Sequence, residues 1–122
     1  MNDELISYAT FTNEDFDAGF LLEDEDGPVD LTGSEFIVHI RQAVENLALI
    51  LEASTENGML VIADQEATGE MGLVEFAIPA SVAATIPVGT YPYDILWISP
   101  EGARDNIGGG TITFQRGVTR IP

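Results

Sequence analysis

Cysteine is missing from the chain, and so is lysine. Without cysteine there are no disulfides, no thiolate metal ligands and no cysteine nucleophile, and folding in a reducing cytoplasm is expected. Positive charge is scarce: four Lys and Arg residues together, all arginine, stand against 21 acidic residues, for a net charge of −17 over 122 residues. A nucleic-acid binder needs a cationic stripe to displace counterions, and an anionic lipid surface attracts the same feature, so neither partner is expected. No apolar run approaches the ~18 residues of a membrane-crossing helix. The first ten residues carry acids and no basic segment, so no signal peptide is expected there.

Apolar residues are plentiful, at 45% of the sequence, which separates this chain from disordered acidic polymers. By area scaling, a chain of this length buries about two thirds of its extended surface, enough for one core and one domain over residues 1–122. The negative charge resists random self-contact and strains the compact state at low salt. It suits an acidic surface for a basic partner or a salty medium, and plain solubility accounts for it equally well.

Period-two patterns dominate. Phe36, Val38 and Ile40 alternate with Glu35, His39 and Arg41; Val74, Phe76 and Ile78 alternate around Glu75; Ile112 and Phe114 alternate with Thr111, Thr113 and Gln115. Leu47 to Leu51 and Met59 to Ala63 read as short, more buried strands. Thr90 to Ser99 is rich in aromatic and β-branched residues, and Leu5 to Thr12 and Phe16 to Leu22 complete the set. Turn signals separate them: Asp26-Gly27-Pro28, Asn57-Gly58, which predicts a two-residue hairpin, and Pro100-Glu101-Gly102. Pro79 to Ile86 is the one helical candidate, opened by Pro79, capped by Ser81 and stopped before Pro87. Gly108-Gly109-Gly110 beside a strand predicts a bulge or bend. Seven to eight short strands at this spacing predict an all-β, antiparallel β-sandwich with one short helical crossover.

No arrangement of residues spells out catalysis, a cofactor or a metal. His39 is the only histidine, it faces away from the Phe36 side of its strand, and no motif supplies it with a nucleophile. Glu23-Asp24-Glu25-Asp26-Gly27 with Asp30 offers oxygen ligands for Ca²⁺, yet Leu22 stands where a calcium loop begins with aspartate. Glu14, Asp15 and Asp17 with Glu23 lack the unequal environments of a glycosidase acid pair. The glycine run lacks the lysine and helix of a phosphate cradle. Tyr91, Tyr93 and Trp97 share one strand face, which suits a sandwich core, a sugar platform or an interface, with Asp94 on the opposite face.

Four segments together carry a resemblance: Asp30-Leu31-Thr32-Gly33 before the strand Phe36 to Arg41; Asn57-Gly58; Gly89-Thr90-Tyr91-Pro92-Tyr93-Asp94-Ile95; and the closing run Gly110 to Gly117 with Val118-Thr119-Arg120. From about Phe16 to Arg120 the chain resembles tailed-bacteriophage virion proteins, similar to the N-terminal domain of baseplate upper proteins. The resemblance implies an immunoglobulin-like sandwich that docks onto a phage particle, with other virion proteins as partners, a multi-copy or homo-oligomeric assembly, and no catalytic residues to carry over. The expected setting is a virion put together in the host cytoplasm.

In that family the domain anchors a longer receptor-binding assembly, whereas no coiled coil or receptor-binding segment is expected after the sandwich here, since the sequence runs to Pro122. A free-standing tail or baseplate adaptor is therefore the first expectation, and a capsid decoration protein the second. A carbohydrate- or ligand-binding module using Tyr91, Tyr93 and Trp97 is the third. Arg116 and Arg120 are expected at an interface with acidic neighbours, and Met1 to Ser7 and Thr119 to Pro122 are expected to serve as arms.

Overall fold

The computed structural model describes residues 4–119, with backbone alone at residues 4 and 5; Arg120, and the outer parts of both expected arms, lie outside the described residues. In chain order the strands are β1 (Glu4–Leu5), β2 (Tyr8–Phe11), β3 (Phe16–Leu21), β4 (Glu23–Asp24), β5 (Gly27–Pro28), β6 (Glu35–Arg41), β7 (Leu49–Ser54), β8 (Leu60–Ile62) and β9 (Leu73–Ile78). A short helix α1 (Ala80–Ala83) precedes β10 (Gly89–Ile98) and β11 (Arg104–Gln115). A six-stranded sheet runs β1-β11-β10-β6-β7, with β2 also on β11; a three-stranded sheet runs β3-β9-β8; and β4 and β5 form a separate hairpin.

The alternation read in the sequence places one row of each strand inward. Phe36, Val38 and Ile40 of β6, Val74, Phe76 and Ile78 of β9, and Ile112 and Phe114 of β11 are buried in one cluster. The sheets face each other across it: Phe20 of β3 meets Phe36 of β6 at 5.8 Å between ring centroids, and Tyr8 of β2 meets Phe16 of β3 edge-on at 5.4 Å. Each such ring contributes about 1.5–3 kcal/mol by leaving water, and edge-on pairing adds to that.

Several local expectations are corrected. The pairing is not antiparallel throughout, because β1 and β2 both run parallel to β11. The expected N-terminal arm is thereby tied down as far as Ser7: Glu4 and Leu5 pair with Gly108 and Gly109, Ile6 N–H donates to Gly109 O at 2.9 Å, and the Ser7 hydroxyl bonds that of Thr111. The glycines make this approach feasible. A Cβ on Gly110 would sit on the Ile6 carbonyl, and one on Gly109 on the Tyr93 carbonyl. The predicted irregularity is also present: the β10 pairing shifts between Ile95 and Leu96, which leaves Ile107 as an extra residue turned into the core.

Asn57-Gly58 does not close a hairpin. β7 belongs to the six-stranded sheet and β8 to the other, so the turn is a corner between sheets. Only Gly58 has positive φ, and Asn57 shapes the corner with its side chain, accepting from Ser54 N and Met59 N at 3.0 Å each and donating to Glu52 O. The Leu47 to Leu51 run is less buried than expected, because β7 is a sheet edge that starts only at Leu49, and Leu47 stands in the loop at 88% exposure. In Met59 to Ala63 only Leu60 is buried, while Val61 points outward. The helix is one turn long, and Ser81 does not cap it; Asp15 does so from the connection between β2 and β3, accepting Ala80 N–H at 2.7 Å.

Candidate docking surface

Strand directions sort the connections onto two ends. β3 finishes and β6, β9 and β11 begin at one end, where segments 22–34, 63–72 and 99–103 gather. The opposite end collects 12–15, 42–48, 79–88 and 116–119. The first set carries Glu23, Asp24, Glu25, Asp26 and Asp30, then Asp64, Glu66 and Glu70, and Glu101. The second set carries only Glu14, Asp15 and Glu45, and two of these are used internally: Glu14 accepts Thr10 Oγ1 and Phe11 N, and Asp15 holds α1. One end is therefore strongly acidic, and the other, which we call the helical end, is nearly neutral.

The exposed apolar side chains show the opposite bias. Among the described residues, Phe11, Val44, Leu47, Leu49, Val88 and Val118 are exposed on or beside the helical end, with Val118 at 92%. The acidic end has Leu21 and Met71. A groove of about 750 Å³ opens at the helical end between α1 and its following loop on one side and Asn13, Arg116 and Thr119 on the other. Asn13 Nδ2 donates to the Thr119 carbonyl, which fixes the far wall. Arg116 is exposed and, among the described residues, is the only charged one lining this groove.

The acidic end is held by a residue that sequence reasoning passed over. Gln65 is buried, and its Oε1 accepts Leu31 N at 3.0 Å and Gly72 N at 2.9 Å, while Nε2 donates to Ala63 O at 2.7 Å. The β4–β5 hairpin stands out from this base, with Glu23 to Asp26 all exposed and open space around Gly27. Asp24 Oδ1 accepts Asp26 N at 2.8 Å. Next to it Asp30 Oδ1 accepts both the hydroxyl and the N–H of Thr32, and these bonds lower the Asp30 pKa. Among the described residues no group of three or more His, Asp and Glu side chains is arranged to hold a metal ion.

Tyr91 and Tyr93 point inward and are buried. Tyr91 Oη donates to Pro87 O at 2.5 Å and Tyr93 Oη to Ile6 O at 2.6 Å, so neither ring is presented to a ligand. Trp97, on the same face, is half-buried and donates Nε1–H to Ser34 Oγ at 3.0 Å. His39 lies on the outer face of the six-stranded sheet, beside a shallow hollow of about 540 Å³. Arg41 Nη2 donates to His39 Nδ1 at 3.1 Å, and since arginine only donates, the neutral ring carries its proton on Nε2 and gives it to Glu52 at 3.1 Å. Arg41 also donates to the carbonyl of Leu47, and across the hollow Asn106 donates to Asp94 at 2.9 Å. These polar groups are engaged with one another. No known family model matches the chain, and no curated protein matches it.

Proposed function

We propose that this protein is a structural docking module of a bacteriophage particle, an immunoglobulin-like sandwich that works as a tail or baseplate component by contact rather than by chemistry. The observation that carries this reading is the segregated surface: a filled sandwich whose exposed apolar side chains collect at one nearly neutral end while its carboxylates crowd the other. Exposed apolar residues concentrated at one end, where Val88 lines a groove, suit a contact surface.

Two features support the immunoglobulin-like assignment. The sheets read β2-β11-β10-β6-β7 against β3-β9-β8, with a helical crossover between β9 and β10. Tyr91 at the start of β10 bonds back to the backbone four residues upstream, as the tyrosine corner of such sandwiches does. The segments that carry the resemblance to baseplate upper proteins sit at turns and strand ends of this fold: Asp30 to Gly33 turns the chain into β6, Asn57-Gly58 forms the sheet-to-sheet corner, Gly89 to Ile95 starts β10, and Gly110 to Gly117 finishes β11. A capsid decoration protein of the same fold would use the same surface in another place.

The test is the composition of purified particles made by a cell carrying this gene. Quantitative mass spectrometry is expected to find the chain at a fixed, multi-copy ratio to the major structural proteins. Particles that lack it throughout purification would overturn the reading.

A further inference from the structure

We infer that the groove at the helical end receives the acidic β4–β5 hairpin of a second copy, so that the chain stacks head to tail. This rests on the docking reading and names the partner. The groove of about 750 Å³ is lined by aliphatic side chains such as Ile86 and Val88 together with the uncharged polar groups of Asn13, Ser81 and Thr85, and among the described residues Arg116 is its only charge. Among the described residues Arg116 has no carboxylate within salt-bridge distance, although the chain carries 21 acidic residues. A guanidinium with no carboxylate partner among the described residues, at the lip of a groove without other charge among them, selects an anionic occupant, and a carboxylate suits its forked donors.

The opposite end supplies such an occupant. The β4–β5 hairpin presents Glu23, Asp24, Glu25 and Asp26 in succession, all exposed, on a tip with nothing within 4 Å of the Gly27 Cβ position. Its base is pinned by Leu22 N–H to Gly72 O at 2.8 Å and Val29 N–H to Leu22 O at 2.9 Å, and its turn by Asp24 to Asp26. A hairpin already ordered in this way loses little conformational freedom on docking. Knob and groove sit at opposite ends of one sandwich, so the contact is heterologous and propagates into a ring or an open stack. The acidic tip meets the least acidic surface of its neighbour, which limits the repulsion between two chains of net charge −17.

Sedimentation velocity of the full chain at about 0.15 M NaCl, up to about 1 mM, tests this. Wild type is expected to form concentration-dependent species beyond a dimer. Arg116→Glu and Glu25→Arg are each expected to weaken association about tenfold or more while keeping the wild-type circular dichroism spectrum, since both positions are exposed. A mixture of the two variants is expected to associate more strongly than either alone and to extend beyond a dimer, because the unaltered groove of Glu25→Arg takes the unaltered hairpin of Arg116→Glu while their two altered surfaces carry opposite charges. Glu101→Arg, on the acidic end but off the hairpin, is expected to assemble like wild type. A wild type that stays monomeric, or variants that associate unchanged, would overturn the stacking. A monomeric chain still found in particles would leave the docking reading in place, whereas a chain absent from particles would remove that reading.

Discussion

Gln65 accepts the backbone N–H of Leu31 at 3.0 Å from 34 positions away in the chain, inside the protein, and thereby fastens the two longest connections of the acidic end to each other. Because the same oxygen also takes Gly72 N–H, truncation strands two buried donors at once. Gln65→Ala is expected to cost about 2–3 kcal/mol in chemical denaturation. Amide exchange should accelerate first at Leu31 and Gly72, while the β6 and β10 amides keep their protection.

The glycine run is required where the N-terminal segment crosses β11. A Cβ at Gly110 collides with Ile6 backbone, which cannot swing aside as a side-chain tip would. Gly110→Ala is expected to destabilise by about 1–3 kcal/mol and to expose the Ile6 amide to exchange. Gly19→Ala, where the nearest atoms stand at 3.5 and 3.7 Å, is the matched control and should be close to neutral in the same thermal melts.

Alkaline pH provides a signed test of the Tyr8–Tyr93 pair. Burial raises the pKa of both tyrosines above the ordinary value of 10.0, and the neighbouring Tyr8 raises Tyr93 further. Below pH 10 both phenols are neutral whether the chain is folded or unfolded, so their contribution is fully present. Above it the unfolded chain releases these protons first and is favoured, so stability is lost as pH rises toward the folded pKa values. Urea midpoints should therefore fall from about pH 10 upward. Tyr93→Phe should flatten that fall while lowering stability at neutral pH through loss of the bond to Ile6 O.

Net charge of −17 predicts a melting temperature that climbs with added salt. Repulsion among the carboxylates of the acidic end is screened as the Debye length shrinks from about 20 Å to about 4 Å between roughly 20 mM and 500 mM NaCl. Scanning calorimetry across that range should show the rise, with most of it removed in Glu23→Gln/Glu25→Gln/Asp26→Asn. A flat response would contradict it.

Strand positions were legible in the sequence wherever one face is buried and the other wet. The Phe36, Val38, Ile40 row and the Val74, Phe76, Ile78 row fixed both the element and its inward side, because period two permits only one choice. Asn57-Gly58 misled because the local turn chemistry is the same whether the next strand pairs back or crosses to the other sheet; only the distant pairing of β8 with β9 decides that. Parallel addition of β1 and β2 to β11 left no local trace for the same reason.

The candidate surface was legible in part. Arg116 stood out through the scarcity of positive charge, and Tyr91, Tyr93 and Trp97 through their shared spacing. The spacing gave their common face without saying that this face is the core. The groove beside Arg116 comes from segments 12–15 and 79–88, which meet it only after both sheets have formed. Gln65 carried no signal, since a single polar residue in a loop reads the same whether exposed or buried.

The most direct test of docking through the ends is hydrogen–deuterium exchange on the chain, free and within purified particles. The account predicts new protection at 79–88 and 116–119 and over the hairpin 23–28, with the outer face of β6 and β10 unchanged. Protection confined to that outer face, or none at either end, would contradict it.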